Sequence, residues 1–382
     1  MPTFQIIGAF PSSLINFRGD LIRAAAEQGF DVSAMAAPGD LMTAQQLESE
    51  GVQYRTYPVQ RNGLNPTADL TTYWQLCRAF REIRPDIALA YTIKPVIWGG
   101  IASRKVKSSR FFALITGLGF AFQHGGISKK IFCMSICMLY RFALKNAEGV
   151  IFQNHNDRDT FIERGIVPAA KCHIVHGSGV NTEIFSASRL PDGPPRFLVI
   201  ARLLGDKGIR EFHAAAQIVR RSFPSAEFEI VGPEDRTRNG IPIQEIQEWH
   251  DAGTIHYSGS TSDVRPFISK CHVYVLPSYY LEGLPRTLLE ALAMGRPILT
   301  TDAPGCRETV EAGVNGFLVP KKNAEALAER MIWLIENRDQ WQAMGNSSRR
   351  IAEEKFDVRK INAEMFRIMG LGAGSRQQAA GQ

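Results

Sequence analysis

Short apolar segments alternate with amphipathic segments along almost the whole chain, and they fall into two series. The first series of strand-like segments comprises residues 4–10, 31–37, 52–59, 86–91, 110–116 and 149–154. The second series follows a Pro- and Gly-rich segment and comprises residues 196–202, 226–232, 254–259, 273–278 and 297–301. Continuously apolar strands that alternate with helices are typical of a parallel sheet covered on both faces. The pattern therefore predicts an α/β fold, with two doubly wound, Rossmann-like domains that face a central cleft.

The Pro- and Gly-rich segment, residues 190–195, also suggests where the domains meet. We predict an N-terminal domain over residues 1–188 and a C-terminal domain over residues 189–355. Residues 356–370 are predicted to form a helix that packs back on the N-terminal domain, and the small, polar residues 371–382 to form a disordered tail. A length of 382 residues agrees with two domains that each bury a core.

Composition excludes several classes of protein. With 45% hydrophobic and 21% charged residues, the chain is neither disordered nor collagen-like. Its six cysteines include no C-x-x-C pair, so we expect buried thiols in a reducing compartment and neither a disulfide scaffold nor a zinc site. The sequence does not open like a signal peptide, and no segment reaches the ~20 apolar residues of a membrane-spanning helix. We therefore expect a cytoplasmic protein.

Positive charge is concentrated in one window of the sequence. Residues 87–147 contain no Asp or Glu. The nine basic residues of this window are Lys94, Arg104, Lys105, Lys107, Arg110, Lys129, Lys130, Arg141 and Lys145. Such a distribution favours an anionic partner for this region. A basic face that is only solvated is the alternative.

Motifs of several enzyme classes are missing from the sequence. There is no G-x-x-x-x-G-K-[ST], which argues against a P-loop NTPase, and no H-E-x-x-H. Gly117-Leu118-Gly119 starts like a dinucleotide fingerprint but lacks its third glycine and its later acidic residue, which argues against a nicotinamide enzyme. Asp157 and Asp159 form an acid-x-acid pattern that holds a divalent cation in some sugar-nucleotide enzymes. Because they open a predicted helix, capping of its backbone N–H groups is the favoured interpretation.

The most informative residues follow two predicted strands of the second series. Arg202 offers a planar fork for phosphate oxygens, and Lys207 adds a mobile point charge. Glu282 and Glu290 flank the start of a predicted helix, where Gly283 lets the backbone approach a ligand. Two cations and two carboxylates at the carboxyl ends of strands fit a diphosphate joined to a polyhydroxylated group. Helix caps with surface ion pairs are the alternative.

This combination resembles the family 4 retaining glycosyltransferases, which have a B-type fold of two Rossmann-like domains. The resemblance covers nearly the whole chain. It rests on Glu282 and Glu290 as an acid-x7-acid pair, on Arg202 with Lys207, on residues 177–181 with Phe185, on Pro304 to Thr309, and on Asn315-Gly316. The P-G-C-R-E segment and Asn16-Phe17-Arg18 are most similar to bacterial transferases of surface polysaccharide and glycan assembly. These include transferases that add N-acetylgalactosamine to polyprenyl-diphosphate-linked bacillosamine.

The resemblance implies a division of labour between the domains. The C-terminal domain would bind a UDP-sugar, and the N-terminal domain would bind the acceptor and face the membrane. Arg202 and Lys207 would neutralise the diphosphate leaving group as the glycosidic bond breaks, so that no metal ion or other cofactor is expected. The configuration of the anomeric carbon would be retained, with assistance from the leaving phosphate.

The resemblance also implies contacts to the rest of the donor. Glu290 would accept hydrogen bonds from the ribose hydroxyls. Glu282, together with the backbone N–H groups of Gly283 and Leu284, would hold the hydroxyls of the donor sugar near the anomeric carbon.

Two positions depart from the family pattern. Ser12-Ser13 stand where the family has Gly-Gly in the first turn, and serine is small but less permissive than glycine at the diphosphate contact that the resemblance implies there. Thr116 stands where many members have a His that contacts the donor sugar, and the nearby His124 lies in a Gly-rich loop where a structural or acceptor-facing role is favoured. The candidate contacts to the acceptor or the donor sugar are Asn16, Arg18, Thr116 and His124.

Residues 128–145 form an apolar run with cations near both ends. Burial in the core is one interpretation of a helix that is apolar all round. The favoured interpretation is contact with the anionic cytoplasmic leaflet of a membrane, which would place the N-terminal domain against a lipid-linked acceptor. The cations predicted to make this contact are Lys129, Lys130, Arg141 and Lys145.

The sequence therefore predicts a metal-independent, retaining glycosyltransferase at the inner face of the cell membrane. It would move an N-acetylhexosamine or a hexose from a UDP-sugar to a polyprenyl-diphosphate-linked sugar. A UDP-sugar 2-epimerase of the same fold and a non-catalytic protein that binds sugar nucleotides or membranes are the alternatives. A nucleic-acid partner is not expected, because the basic window carries an apolar run and not aromatic residues interleaved with cations.

Overall fold

The chain divides into two compact units, which are described separately. The computed structural model describes residues 1–60, 65–106, 109–122, 126–237 and 239–371. The first unit comprises Met1–Ser178 and Arg359–Gln382, and the second comprises Gly179–Val358. The predicted boundary at residue 189 is therefore placed too late in the sequence, and the boundary at residue 355 slightly too early.

The early start of the second unit has a physical cause near Val180. The Val180 N–H donates to the carbonyl of Phe356 over 2.9 Å, and the Val358 N–H donates back to Val180 over 3.0 Å. The side chains of Val180 and Phe185 are buried in the core of the second unit. The Pro- and Gly-rich segment that suggested the boundary is thus a loop within this unit.

A parallel sheet forms the centre of the first unit. Its strands are β1 (Thr3–Ile7), β2 (Asp31–Ala36), β3 (Gln53–Thr56), β4 (Ile87–Tyr91), β5 (Arg110–Ile115), β6 (Gly149–Phe152) and β7 (Cys172–Ile174). They are arranged in the order β3-β2-β1-β4-β5-β6-β7. In the register of the central strands, Ile6 lies between Ala34 and Leu89, and all three side chains are fully buried. Five consecutive buried residues in β4 agree with a sheet that is covered on both faces.

Helices connect these strands. They are α1 (Pro11–Asn16), α2 (Gly19–Glu27), α3 (Leu41–Ser49), α4 (Pro66–Ile83), α5 (Ile93–Ser103), α6 (Ile127–Leu144) and α7 (His155–Glu163), with 3₁₀ turns at Gly119–Phe122 and Ala169–Lys171. Three starts are fixed by side chains that accept a hydrogen bond from the backbone N–H three residues later, namely those of Asp40, Asn65 and Asn154.

The second unit is built in the same way. Its strands are β8 (Arg196–Ile200), β9 (Glu227–Val231), β10 (His256–Tyr257), β11 (Val273–Leu276), β12 (Ile298–Thr301) and β13 (Gly316–Val319). The order is β10-β9-β8-β11-β12-β13, and all neighbours are parallel. The prediction of two doubly wound parallel sheets is confirmed.

The helices of the second unit lie between these strands and after the last one. They are α8 (Ile209–Ser222), α9 (Ile243–Asp251), α10 (Arg265–Lys270), α11 (Arg286–Ala293), α12 (Ala324–Glu336) and α13 (Trp341–Ile351), with 3₁₀ turns at Gly205–Lys207, Arg307–Thr309 and Arg338–Gln340 and a π-helical turn at Ala352–Phe356.

Each sheet has a point where the strand order reverses. In the first unit this point lies between β1 and β4, and in the second unit between β8 and β11. Open α/β sheets bind ligands outside the carboxyl ends of the strands at such a point. The segments that follow these four strands are therefore the first places to look for a functional site.

The last helix, α14 (Val358–Met369), packs in the first unit although it follows the second unit in sequence. Its side chains Ile361, Met365, Phe366 and Met369 lie in the same buried cluster as Phe4 of β1. The predicted disordered tail falls, from residue 372 onward, outside the described residues.

Replacement of Phe366 by Ala tests this assignment of α14. Because Phe366 is 4% exposed within the first unit's core, we expect the Phe366→Ala variant to lose about 3–4 kcal/mol of unfolding free energy. Hydrogen exchange should show the loss as faster opening of β1 and β4 but not of β8 and β11. Arg367→Ala, on the exposed side of the same helix, is the control and should leave exchange nearly unchanged. Equal effects in both units would contradict the assignment.

Candidate functional site

A contact between Lys207 and Glu282 joins the two segments at the reversal point of the second sheet. Lys207 follows β8 and Glu282 follows β11, and Lys207 Nζ lies 2.5 Å from Glu282 Oε1. Ser278 also donates to Glu282 Oε1 over 3.2 Å. The side chains of Lys207 and Glu282 are only 11% and 19% exposed, so water screens the pair weakly.

Two glycines with positive φ lie in close contact with the backbone of the segment that follows β11. Gly208 has φ 75°, and a Cβ there would stand 2.1 Å from the carbonyl oxygen of Pro277. Gly305, in the P-G-C-R-E segment, has φ 82°, and a Cβ there would stand 1.9 Å from the carbonyl oxygen of Gly283. A side chain at either position would therefore collide with the backbone of the segment after β11.

Arg202, the second predicted cation, is paired with Asp235. Arg202 Nη1 lies 2.5 Å from Asp235 Oδ2. Thr237 donates to the other carboxylate oxygen from its backbone N–H and from its hydroxyl. Burial opposes ionisation of Asp235, but these hydrogen bonds and the charge of Arg202 outweigh it and hold the pKa of the carboxyl below its usual range. Arg202 therefore lies next to a carboxylate that stays charged.

Glu290, the second acid of the acid-x7-acid pair, lies on α11 and is buried. Its Oε1 accepts a hydrogen bond from Arg286 Nε over 2.8 Å, one helical turn earlier. Burial raises the pKa of Glu290, and the Arg286 guanidinium only partly opposes this effect. Because the Glu290 carboxyl is buried, a further hydrogen bond donated to it would stabilise its charged form.

Gly283 and Leu284 lie between Glu282 and the first turn of α11, as predicted. Both are buried, and Pro285 is the residue that precedes the helix. The start of α11 carries no acidic residue in its first turn. Its backbone dipole therefore presents partial positive charge beside Glu282.

The predicted residues of the first unit meet at the other reversal point. Ser13 Oγ lies 2.7 Å from the Tyr91 hydroxyl at the end of β4. The guanidinium of Arg18, which is buried, lies 5.3 Å from the centre of the Tyr91 ring. Burial raises the pKa of Tyr91 to about 12, so the phenol stays protonated. Ser12 and Ser13 lie in the short helix α1, and not in an open turn.

The remaining candidates of this unit have separate positions. Asn16 ends α1 and is exposed, and Thr116 directly follows β5 with a half-buried side chain. His124 lies outside the described residues.

The acid-x-acid pattern at Asp157 does not form a metal-ligand set. Asp157 is buried and accepts a hydrogen bond from Asn154 Nδ2 over 3.1 Å, while Asp159 pairs with Arg158 over 2.7 Å. No group of three His, Cys, Asp or Glu side chains suited to a metal ion occurs in the described part of the chain. The predicted capping is wrong in its detail, because Asn154, and not either carboxylate, caps α7.

The apolar run at residues 128–145 forms helix α6, and it is neither fully buried nor fully exposed. Its Cys133, Ile136 and Tyr140 face the core, whereas Ile131 and Met138 are exposed. The predicted contact cations Lys130, Arg141 and Lys145 are exposed, and Lys129 is half-buried. Across the residues that the structure describes, every helix is too short or too polar to cross a membrane.

Three residues of these clusters were not predicted from the sequence. Asp235 and Arg286 pair with predicted residues, and Tyr91 joins Ser13 to Arg18. Tyr91 ends a predicted strand, which was a usable signal. The other two carried no signal, because an Asp in a loop and an Arg at a helix start are common surface residues.

Comparisons with known proteins match both units of the chain. Residues 16–177 match the family model of the glycosyl transferase 4-like domain, and residues 180–351 match that of the glycosyl transferases group 1. The gap between the two matches falls at the structural boundary after Ser178.

Two bacterial relatives are similar over most of their length. The N,N'-diacetylbacillosaminyl-diphospho-undecaprenol alpha-1,3-N-acetylgalactosaminyltransferase of Campylobacter jejuni is 29% identical over 339 residues, which are 85% of this chain and 87% of that protein. The putative glycosyltransferase EpsD of Bacillus subtilis is 25% identical over 320 residues, 80% of this chain and 81% of that protein.

Solved structures show the same fold at lower identity. The sucrose-phosphate synthase of Thermosynechococcus elongatus has a TM-score of 0.79 at 19% identity and covers 100% of both chains. HepE of Anabaena in complex with UDP-glucose has a TM-score of 0.77 at 18% identity and covers 97% of this chain and 100% of that one. The predicted B-type fold is confirmed.

The pH dependence of stability tests the environment of Asp157. Burial raises the pKa of this carboxyl to about 7, from an ordinary value of 3.8. Its contribution to the free energy of unfolding is therefore largest below pH 3.8 and is lost as the pH rises to about 7, because only the folded protein resists its ionisation. The Asp157→Asn variant cannot ionise at this position, so its stability should not fall with rising pH for this reason. Its amide oxygen can still accept the hydrogen bond from Asn154 Nδ2.

We expect the Asp157→Asn variant to melt at a higher temperature than the unaltered protein at about pH 8, and at a similar temperature at about pH 4. Thermal melts across this range measure both values. A variant that melts lower at the higher pH would show that Asp157 is charged and stabilising in the folded chain.

Proposed function

The chain belongs to the glycosyltransferases that join a 4-like N-terminal domain to a group 1 C-terminal domain, and we propose that it works in the assembly of bacterial polysaccharides or glycans. In this proposal it transfers an N-acetylhexosamine or a hexose from a UDP-sugar to a polyprenyl-diphosphate-linked sugar. The similarity to the Campylobacter jejuni transferase, whose name states such an acceptor, supports the acceptor class. The UDP-glucose complex of HepE, which has the same fold, supports the donor class.

The observation that carries the proposal is the Lys207–Glu282 contact at the reversal point of the second sheet. The cation and the carboxylate of this pair match the diphosphate and the sugar hydroxyls of a nucleotide sugar, respectively. Lys207 suits the diphosphate, because an ammonium group is a strong phosphate binder. Glu282 suits sugar hydroxyls, because a carboxylate accepts several hydrogen bonds.

We infer that donor binding separates Lys207 from Glu282 and gives each side chain a new partner on the donor. In the proposed exchange, Lys207 moves from Glu282 to the donor diphosphate, and Glu282 then accepts hydrogen bonds from the donor sugar. The exchange keeps both side chains paired, which matters because an unpaired buried charge is strongly destabilising. Arg202 would supply the second cation for the diphosphate, and Glu290 would accept from the ribose hydroxyls.

The chemical step would break the bond between the anomeric carbon and the diphosphate oxygen. An acceptor hydroxyl would attack from the face that the diphosphate leaves, so that the configuration is retained, and its proton would pass to the departing phosphate oxygen. Lys207 and Arg202 would stabilise the charge that develops on the diphosphate, a role for which other enzymes use a metal ion. The pairing with Asp235 keeps the Arg202 guanidinium positioned after β8.

A transfer assay with the purified chain tests the proposal. The reaction would contain one of several UDP-sugars, a polyprenyl-diphosphate-linked sugar and EDTA, and product stereochemistry would be read by NMR. We expect transfer from one UDP-sugar, with retained configuration and no effect of EDTA. We expect Lys207→Ala to lower kcat about a hundredfold or more, because one charge that stabilises the leaving group is removed. Lys270→Ala, an exposed cation of the same unit, is the matched control.

The alternatives predict other outcomes of this assay. Conversion of a UDP-sugar to its epimer without acceptor would indicate a 2-epimerase. Binding of a UDP-sugar without turnover, weakened but not otherwise changed by Glu282→Ala, would indicate a binding protein. An inverted product or a requirement for a divalent cation would overturn the proposed mechanism.

A further inference from the structure

Helix α6 exposes an apolar stripe on the side that faces away from the core. The residues of this stripe are Ile127, Ile131, Met134, Met138 and Phe142, and each is at least 55% exposed. Their spacing of three or four residues places them on one side of the helix. Five apolar side chains in one continuous row are unlike the scattered apolar residues of an ordinary soluble surface.

Cations lie along this stripe. Lys130 and Lys145 are exposed near its two ends, and the guanidinium of Arg104 lies 4.3 Å from the centre of the Phe142 ring. Arg141 is also exposed and is held in place by a hydrogen bond from its Nε to the carbonyl of Gly165. Helix α6 itself contains no acidic residue.

Not every cation of the acid-free window belongs to this surface. Lys94 is buried and pairs with Asp69 over 2.7 Å, and Arg110 pairs with Glu148 over 2.6 Å. Both acids lie outside the window in sequence. Among the described cations of the window, Lys130, Arg141 and Lys145 are exposed and lie on or directly after α6.

We propose that α6 docks on an anionic bilayer and lies parallel to it. The stripe enters the boundary between headgroups and acyl chains, and the flanking cations contact lipid phosphates. A bilayer interface satisfies both features of the surface, since it removes the stripe from water and supplies negative charge beside it. This inference deepens the proposed function and rests on it for one point only, the reason why the protein needs a membrane.

A second copy of the chain fits the stripe less well. Contact between two stripes would be symmetric and would bring the cations of both copies together. Because α6 contributes no acidic residue to such an interface, like charges would face each other in either orientation of the helices. The charge of the surface therefore favours lipid over self-association.

Vesicle binding of the full chain tests the inference. The probes are vesicles of phosphatidylglycerol mixed with phosphatidylcholine, and vesicles of phosphatidylcholine alone, in a sedimentation assay. We expect binding to the mixed vesicles that weakens with added salt, and much weaker binding to phosphatidylcholine alone. Ile131→Gln combined with Met134→Gln and Met138→Gln should lower binding to the mixed vesicles about tenfold or more, because it removes apolar area from the contact.

Matched variants on the second unit serve as controls. Ile184→Gln with Val314→Gln also replaces exposed apolar side chains, and it should leave vesicle binding unchanged. For the charge, Lys130→Ser with Lys145→Ser should weaken binding about tenfold or more, whereas Lys270→Ser with Lys321→Ser should not. Circular dichroism and thermal melts of each variant verify that the exposed substitutions leave the fold intact.

Three outcomes would overturn the inference. The first is no binding of the unaltered protein to mixed vesicles, and the second is equal loss of binding in the α6 and control variants. The third is a dimer in light scattering that the stripe variant abolishes, without vesicle binding. Transfer by the unaltered protein to an acceptor with a short, water-soluble prenyl chain tests the proposed function separately. Failure of that transfer would overturn the function and leave the vesicle result standing.

Discussion

The contact between Lys207 and Glu282 joins the two segments that meet at the reversal point of the second sheet. It forms only because β8 and β11 are neighbours in the sheet although the β9, β10 and α10 segments separate them in sequence. It also needs close approach of the backbone at Gly208 and Gly305, where a Cβ would displace the segment after β11. The strand order and two glycines therefore fix the distance between one cation and one carboxylate.

The charged side chains of the site are arranged in pairs of opposite sign. Arg202 faces Asp235, Lys207 faces Glu282, and Arg286 faces Glu290. A buried ion pair contributes little to stability by itself, whereas removal of one partner is strongly destabilising. In the proposed function, the diphosphate of the ligand takes the place of a carboxylate beside Arg202 and Lys207. The hydroxyl groups of the ligand take the place of a cation beside Glu282 and Glu290. The side chains that are paired in the folded site would then give it affinity for a nucleotide sugar.

The sequence was sufficient to predict most of the fold, because the central strands are continuously apolar and alternate with helices. All eleven predicted strand segments contain strands, and β7 and β13 were missed. β7 has three half-buried residues, and β13 has two half-buried residues among its four. Both strands lie at the edge of their sheet, where continuous burial is not required. The predicted domain boundary was wrong for a similar reason: a turn-rich loop looks like a linker, whereas the pairing of Val180 with Phe356 joins residues far apart in sequence.

The candidate site was predictable where its residues directly follow strands. Arg202, Lys207, Glu282 and Glu290 were identified in this way, but Asp235 and Arg286, the partners of Arg202 and Glu290, were not. The pairing of Arg202 with Asp235 depends on how the loop after β9 folds over the end of β8, and no local pattern encodes that geometry. Helix α6 shows a related limit, since its composition is apolar on all sides and only the structure separates the buried face from the exposed stripe.

Calorimetric titration of UDP and of a UDP-sugar into the Glu282→Gln variant tests the exchange of partners most directly. If Glu282 and the donor diphosphate compete for Lys207, the variant should bind UDP more tightly than the unaltered protein, because the competing carboxylate is gone. It should gain no affinity for the UDP-sugar, because the acceptor of the sugar hydroxyls is weakened at the same time. Equal losses of affinity for UDP and for the UDP-sugar would contradict the account. They would show that Glu282 only holds Lys207 in position for the diphosphate.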